Sequence, residues 1–215
     1  MIEITEKALD LLRERVKSQM SPKRFLHTAA VEKMTERLCE LYCPQDMLLM
    51  RAAALLHDVT KEKTTEEQVA LCRLYGLPVT DGDLLAPKTF HARTAAAMIP
   101  REFSEFAHPT IMDAVRWHTT GRADMTLTEK ILYLADYIDD TRKFENCVLL
   151  RGFFWNAEPQ KMDRIGRENL LRDTLILSYR MTVEDLLVEG TPVAIDTIEA
   201  RNQLLLEVEK QTRNH

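Results

Sequence analysis

The stretch Arg51-Ala-Ala-Ala-Leu-Leu-His57-Asp58 carries an adjacent ionisable pair at the end of an apolar run. Such a run is typical of a buried helix, so we expect the pair to lie in the protein interior. Removing a carboxylate from water is costly unless the carboxylate is paired or bound to a cation. A second acid, Asp136, lies inside the apolar segment Ile131-Leu-Tyr-Leu-Ala-Asp136-Tyr-Ile138. Two buried acids predict a bound cation.

Histidines are spread around this doublet along the chain: His27, His57, His91 and His118. None of the intervals between them matches a local chelating motif, so they converge only if several helices pack with their histidine-bearing faces inward. Neutral imidazoles combined with carboxylates suit iron, manganese, cobalt, nickel or zinc, and leave positions open for water and substrate. The pattern therefore predicts a catalytic divalent metal.

The composition is that of an ordinary soluble globule, with 215 residues of which 45% are hydrophobic and 29% charged. We expect a single domain over residues 1–215, with a core at about 20–140 and a helical extension at about 141–215. The net charge of −5 argues against nucleic acid or anionic lipid as a partner. The absence of a long apolar stretch or a leader-like start predicts a cytoplasmic location. The four cysteines form no CxxC pair and are expected to be reduced, buried thiols: Cys39, Cys43, Cys72 and Cys147.

Apolar residues recur at spacings of three and four throughout, which predicts an all-α fold. Ser21-Pro22 is a helix start, and Thr126 with Glu129 has capping-box spacing. Thr65 with Gln68 has the same spacing, and His108 is expected to cap a helix or lie at the surface. The helices are predicted at about 4–19, from 22 to Pro44, 46–58, 65–75, from His91, 109–118, from Thr126, and near 167–180, 182–189 and 193–211.

Several segments together resemble a known family. They are Arg24-Phe-Leu-His27-Thr28, Leu55-Leu-His57-Asp58-Val-Thr-Lys61, His118-Thr-Thr-Gly121-Arg122, Glu129-Lys-Ile-Leu-Tyr-Leu-Ala-Asp136-Tyr-Ile138, Arg142 with Phe144, and Thr197-Ile-Glu-Ala-Arg-Asn202. The chain resembles the HD-domain superfamily of helical metal-dependent phosphohydrolases over about residues 5–210. Within it the chain is similar to the YqeK branch of bacterial symmetrical diadenosine-tetraphosphate hydrolases. The segment 145–160 departs from the charged helix expected there, which affects the nucleoside contacts.

The resemblance implies a metal site made of His27, His57, Asp58 and Asp136, with iron as the ion. It also implies that His91 and His118 line a phosphate pocket. The implied reaction is hydrolysis of diadenosine tetraphosphate at its centre to two ADP, by attack of metal-bound water on a phosphoanhydride. A second metal held by His91 and His118 is the alternative to their contacting substrate.

A polyphosphate needs cations in an acidic protein, and four side chains are candidates to neutralise it: Arg24, Lys61, Arg122 and Arg142. His118, His91 and the adjacent Thr119 are placed to contact phosphate, and either histidine is expected to give a proton to the leaving oxygen. The predicted catalytic residues are Asp58, Lys61, His91 and His118.

Two other functions fit the same pattern. One is an HD-type phosphohydrolase for a nucleoside mono- or triphosphate or a cyclic nucleotide. The other is a nucleotide-sensing module without catalysis, which the filled ligand positions disfavour. The expected partner is a small nucleotide, and the sequence leaves a homodimer open.

Overall fold

Helices account for all the regular structure in residues 4–213, which are the residues that the computed structural model describes, apart from the side chains at 211 and 212. The prediction of an all-α fold is confirmed. The α-helices are α1 (Glu6–Lys17), α2 (Pro22–Tyr42), α3 (Met47–Leu56), α4 (Thr65–Tyr75), α5 (Asp81–Leu85), α6 (Phe90–Glu102), α7 (Pro109–Trp117), α8 (Leu127–Ile138), α9 (Glu145–Asn156), α10 (Arg164–Val188) and α11 (Ile195–Arg213). The residues at 1–3 and 214–215 lie outside the described part, so the domain extent 1–215 stays a prediction.

Local capping signals set several helix starts. The Ser21 hydroxyl accepts the backbone N–H of Arg24, and Pro22 occupies the first position of α2, where its missing N–H has no cost. Thr126 and Glu129 form the reciprocal capping box of α8. His108 caps α7 by accepting the N–H of Thr110. These predictions are confirmed.

The capping box of α4 lies one residue earlier than predicted. Thr64 and Glu67 form it, rather than Thr65 and Gln68. Gln68 instead points inward, where its amide donates to the carbonyl of Thr60 at 2.5 Å. A buried amide needs such a partner, so tertiary packing decides between two equally spaced pairs.

The C-terminal helices also differ from prediction. Residues 167–180 and 182–189 belong to one continuous helix, α10, because the junction contains neither glycine nor proline to break it. The segment at 145–160, which had no predicted structure, forms α9. Its inward face is Cys147, Leu150 and Phe154, which are buried.

Helix α3 lies in the middle of the core, in contact with α1, α2, α7 and α8. Its residues from Ala52 to Leu56 are buried, as the apolar run predicts. Helix α2 packs on both α3 and α8, and α7 packs on α3, α6 and α8. This packing brings the ends of α3 and α7 towards α2 and α8, which positions the ionisable residues described below.

A buried acid joins the first three helices. Glu32 of α2 is 6% exposed and receives hydrogen bonds from Arg13 of α1 and Arg51 of α3. Two guanidinium groups therefore compensate the desolvation of one carboxylate.

The turn between α7 and α8 depends on a glycine. Gly121 has φ of +65°, which a residue with Cβ adopts only with strain. A Cβ there would lie 1.9 Å from the hydroxyl oxygen of the buried Tyr179. Close packing of α10 against this turn thus requires glycine.

Two remaining expectations concern cysteines and membrane segments. The four cysteines are free and buried, as predicted, and the sulfurs of Cys39 and Cys43 lie 3.7 Å apart. Among the described residues, every helix is too short or too polar to span a bilayer.

Candidate metal centre

Three helices bring the predicted metal ligands together. His27 lies near the start of α2, His57 and Asp58 directly follow α3, and Asp136 lies in the last turns of α8. The Nε2 atom of His27 is 3.0 Å from Asp136 Oδ1 and 3.7 Å from Asp58 Oδ2. The Nε2 atom of His57 is 3.4 Å from Asp58 and 3.8 Å from Asp136. These pairwise distances show that the four side chains form one cluster.

Two nitrogen atoms of this cluster make no hydrogen bond of good geometry among the described residues, although one of them lies 3.0 Å from the Asp136 carboxylate. They are the buried Nε2 atoms of His27 and His57. An orphaned buried nitrogen is rare unless an unseen group binds it. Together with the two carboxylates it provides a mixed nitrogen and oxygen donor set, which suits a divalent transition metal. The residues therefore fit such an ion.

Backbone carbonyls fix the orientation of two histidine rings. His57 donates from Nδ1 to the carbonyl of Ala54 at 2.6 Å, and His118 donates from Nδ1 to that of Val115 at 2.7 Å. Because Nδ1 carries the proton, Nε2 of each ring presents a lone pair to the centre. Both histidines directly follow a helix, α3 and α7 respectively.

A second group of side chains adjoins the first. His91 and His118 approach each other at 3.1 Å between their Nε2 atoms, and the Thr119 hydroxyl lies 3.1 Å from both. The Oδ1 atom of Asp58 lies 3.4 Å from His91, while its Oδ2 atom faces His27 and His57. Asp58 therefore joins the two groups.

Ligand atoms within 4.8 Å of one another occur in two overlapping sets, His27 with His57 and Asp136, and His57 with Asp58 and His118. The second set contains His118 but not His91, so it differs from the predicted second metal site made of His91 and His118.

The pKa values of His118 and His91 bear on their predicted role as proton donors. Burial, together with the charge of His57, lowers the pKa of His118 to about 4. Burial and the nearby Lys61 ammonium lower the pKa of His91 well below its usual range. Both rings are therefore neutral near pH 7 and are poor acids. The Nζ atom of Lys61 lies 3.2 Å from His91 Nε2, and burial lowers the pKa of this ammonium group.

Two arginines neutralise the carboxylates of the centre. Arg24 binds Asp58 at 2.7 Å, and Arg142 binds Asp136 at 2.5 Å. Burial raises the pKa of both acids, but the neighbouring His57 at Asp58, and Arg142 with His27 at Asp136, outweigh it and hold each pKa well below its usual range. Both acids are therefore ionised and able to bind a cation.

Arg122 does not join this group. Its guanidinium binds the buried Glu129 at 2.9 Å and packs near the Trp117 ring. Glu129 is the capping acid of α8, so Arg122 supports the end of a helix rather than the centre. The structure thus gives this residue a partner other than the expected phosphate.

Asp139 is a member of the site that sequence reasoning missed. This fully buried carboxylate lies 3.3 Å from Nδ1 of His27, and its other oxygen accepts the N–H of Thr141 at 2.8 Å. Burial lowers the pKa of His27, but contacts with Asp136 and Asp139 outweigh it and raise the value to about 9. A carboxylate behind a histidine orients it for a metal. Its position three residues after Asp136, at the end of the same apolar helix, was the available signal.

A cavity of about 620 Å³ opens directly onto the centre. Several predicted residues line it, together with the start of α9: Lys61, His118, Thr119, Asp136, Arg142, Phe144, Glu145 and Asn146. Its volume is in the range of small-molecule sites, and its walls mix cations with aromatic rings. The segment that departed from the expected pattern thus contributes a wall of this cavity.

Comparison with known proteins identifies the family. Residues 24–141 match the HD domain model. A symmetrical bis(5'-nucleosyl)-tetraphosphatase of Bacillus subtilis is 32% identical over 88% of this chain and 94% of its own length. An enzyme of the same name from Halalkalibacterium halodurans is 32% identical over 94% of this chain and 97% of its own.

Among solved structures, one described as a predicted HD superfamily hydrolase involved in NAD metabolism, from Clostridium acetobutylicum, superimposes with a TM-score of 0.79 at 27% identity. It covers 92% of this chain and 97% of its own. Fold, ligand geometry and these likenesses agree, and the chain belongs to the HD-domain family, in the group that contains the symmetrical bis(5'-nucleosyl)-tetraphosphatases.

Proposed function

We propose that this protein is a metal-dependent hydrolase that cleaves diadenosine tetraphosphate symmetrically into two ADP. The observation that carries the proposal is the pair of Nε2 atoms without a hydrogen bond, on His27 and His57, beside two ionised carboxylates and a cavity whose lining includes Lys61, His118 and Arg142. The two curated relatives, each matched over most of its length, carry the name of this activity.

The proposed metal ligands are His27, His57, Asp58 and Asp136, with iron as the first candidate and manganese, cobalt, nickel or zinc as alternatives. A bound divalent ion would polarise a phosphoryl oxygen and make water a better nucleophile at neutral pH. Asp139 holds the His27 ring in the orientation that the site requires.

The remaining side chains bind the phosphates and move the proton. Arg24 and Arg142 pair with the ligand carboxylates, and when those carboxylates bind a cation the guanidinium groups become available for phosphate oxygens. Nε2 of His118 presents a lone pair and accepts a proton from the attacking water. Lys61, whose pKa burial lowers, is the better source of a proton for the departing ADP.

The test is product analysis on purified protein loaded with iron(II) or manganese. Diadenosine tetraphosphate should give ADP as the sole nucleotide product, whereas AMP with ATP would indicate asymmetric cleavage and overturn the proposal. A panel of ATP, AMP, a cyclic nucleotide and NAD addresses the other nucleotide hydrolases. Faster turnover of any of these would replace the proposed substrate.

Variants separate the roles within the site. His57→Ala should remove both bound metal and turnover. His91→Ala should lower turnover and keep the metal if His91 contacts phosphate, while loss of a second ion would support the two-metal arrangement. His108→Ala is the matched control, because this histidine only caps α7.

We also infer that the protein acts in the cytoplasm on a small nucleotide, without a nucleic-acid partner, because its substrate is a soluble nucleotide and its net charge is negative.

A further inference from the structure

A second cavity, of about 550 Å³, also borders the centre. Its lining is Lys23, Arg24, Leu26, His27, Thr141, Arg142, Lys143 and Phe144. Arg142 and Phe144 line both this cavity and the larger one. The two spaces therefore adjoin each other across these two side chains.

The proposed ligands border both cavities. Asp136 lines the larger cavity and His27 lines the second, and these two residues are 3.0 Å apart. A linear polyphosphate whose centre lies at the ligand cluster therefore has a cavity available for each of its two halves. The volumes are similar, as two equal halves of a symmetrical molecule require.

The chemistry of the second cavity also matches half of such a substrate. Its charged lining groups, apart from the His27 ring, are four cations: Lys23, Arg24, Arg142 and Lys143. Neither Lys23 nor Lys143 forms an ion pair with any described residue, and Lys143 donates a hydrogen bond to the carbonyl of Asp140. Anionic phosphate would complement these charges.

Two apolar side chains stand exposed beside the cations. Leu26 is 64% exposed and Phe144 is 73% exposed. Exposed apolar groups next to a cationic groove suit a nucleoside, because a base offers a flat face for stacking and packing.

We propose that the second cavity is the subsite for the other nucleoside diphosphate half of the substrate, bound by Lys23 and Lys143 at its phosphates and by Leu26 and Phe144 at its base. This inference rests on the proposed function, because it assumes a substrate with two nucleotide halves. It makes Lys23, Leu26 and Lys143 determinants of the preference for dinucleotides over nucleotides with a single nucleoside.

The first experiment counts bound ADP by calorimetry on manganese-loaded protein. The parent should bind two ADP per chain, and the double variant Lys23→Glu/Lys143→Glu should bind one. The matched control is Lys7→Glu/Lys33→Glu, which makes the same change in charge at exposed lysines outside both cavities and should still bind two. A single ADP site in the parent would overturn the proposal.

The second experiment compares kcat/KM for diadenosine tetraphosphate with that for adenosine 5'-tetraphosphate, which lacks the second nucleoside. Leu26→Ala should lower the value for the dinucleotide by about fivefold, as expected for one lost apolar contact, and leave the other unchanged. Leu11→Ala, at a leucine of equal exposure on α1, is the control. An equal loss for both substrates would overturn the assignment.

These outcomes separate the two proposals. If the parent leaves diadenosine tetraphosphate intact, the proposed function fails, while the count of bound ADP still decides whether the second cavity binds a nucleotide.

Discussion

Metal binding at the His27 cluster should release a proton near neutral pH. Burial lowers the pKa of His27, but the contacts with Asp136 and Asp139 raise it to about 9, so the ring is protonated in the metal-free protein. A metal binds only the neutral ring. A pH of 7 is about two units below this pKa, so the His27 ring is neutral in about one molecule in a hundred. Deprotonating it therefore reduces the favourable free energy of metal binding by about 2.7 kcal/mol.

The sign of the pH dependence follows directly. Apparent metal affinity should rise about tenfold for each unit of pH up to the pKa of His27, and become constant above it. Calorimetric titration with Mn²⁺ between about pH 6.5 and 8.5 should show a rise of nearly a hundredfold. Repeating it in buffers of different ionisation enthalpy should count about one proton released per ion.

A matched pair of variants tests the cause. Asp139→Asn removes one of the two carboxylates that hold the proton, so both the proton count and the slope against pH should fall. Asp140→Asn changes the exposed neighbour and should leave both unchanged. If the parent binds Mn²⁺ with the same affinity across this range and releases no proton, the reasoning is refuted.

Three further predictions concern stability. Gly121→Ala should lower the free energy of unfolding by about 2–4 kcal/mol, because it adds a clash with Tyr179 to the strain of a positive φ. Gly76→Ala, at nearly the same φ but in open space, should lower it by only about 1 kcal/mol. Urea denaturation measures both losses, and equal losses would contradict the role of the clash. Glu32→Gln should cost about 2–3 kcal/mol in the same assay, because two arginines lose their buried partner, and a loss below about 0.5 kcal/mol would show that the network is not stabilising. Metal at about a hundred times its Kd should raise the free energy of unfolding by about 2.7 kcal/mol and Tm by about 5–10 °C. This shift in Tm should vanish in His57→Ala. If it persists in that variant, the ion binds elsewhere.

Features encoded by neighbouring residues were predictable from the sequence. Ser21 with Pro22, and Thr126 with Glu129, define helix starts because the groups that satisfy the free N–H bonds lie within one turn. The same rule gave the wrong pair for α4, since Thr64 with Glu67 and Thr65 with Gln68 fit it equally well. Only the buried hydrogen bond of Gln68 distinguishes them.

Features that depend on distant parts of the chain were not predictable in the same way. Asp139 contacts His27 although the two residues lie near opposite ends of the HD domain in sequence. Arg122 binds Glu129 rather than a residue of the metal centre. Neither partner could be inferred from spacing along the chain. The protonation of His118 could not be predicted from the sequence either, because burial in the folded core lowers its pKa to about 4. The converging His and Asp residues were identifiable only as an ordered set.

The attachment of two rings to the final turns of their helices has a consequence for heat inactivation. The rings of His57 and His118 keep their orientation towards the centre only while their hydrogen bonds to the carbonyls of Ala54 and Val115 persist. Both turns are buried in the core, so they open only when the packing of the core is lost. On warming, the rings should keep their alignment until helical content declines, so activity and the circular dichroism signal should disappear over the same temperature range.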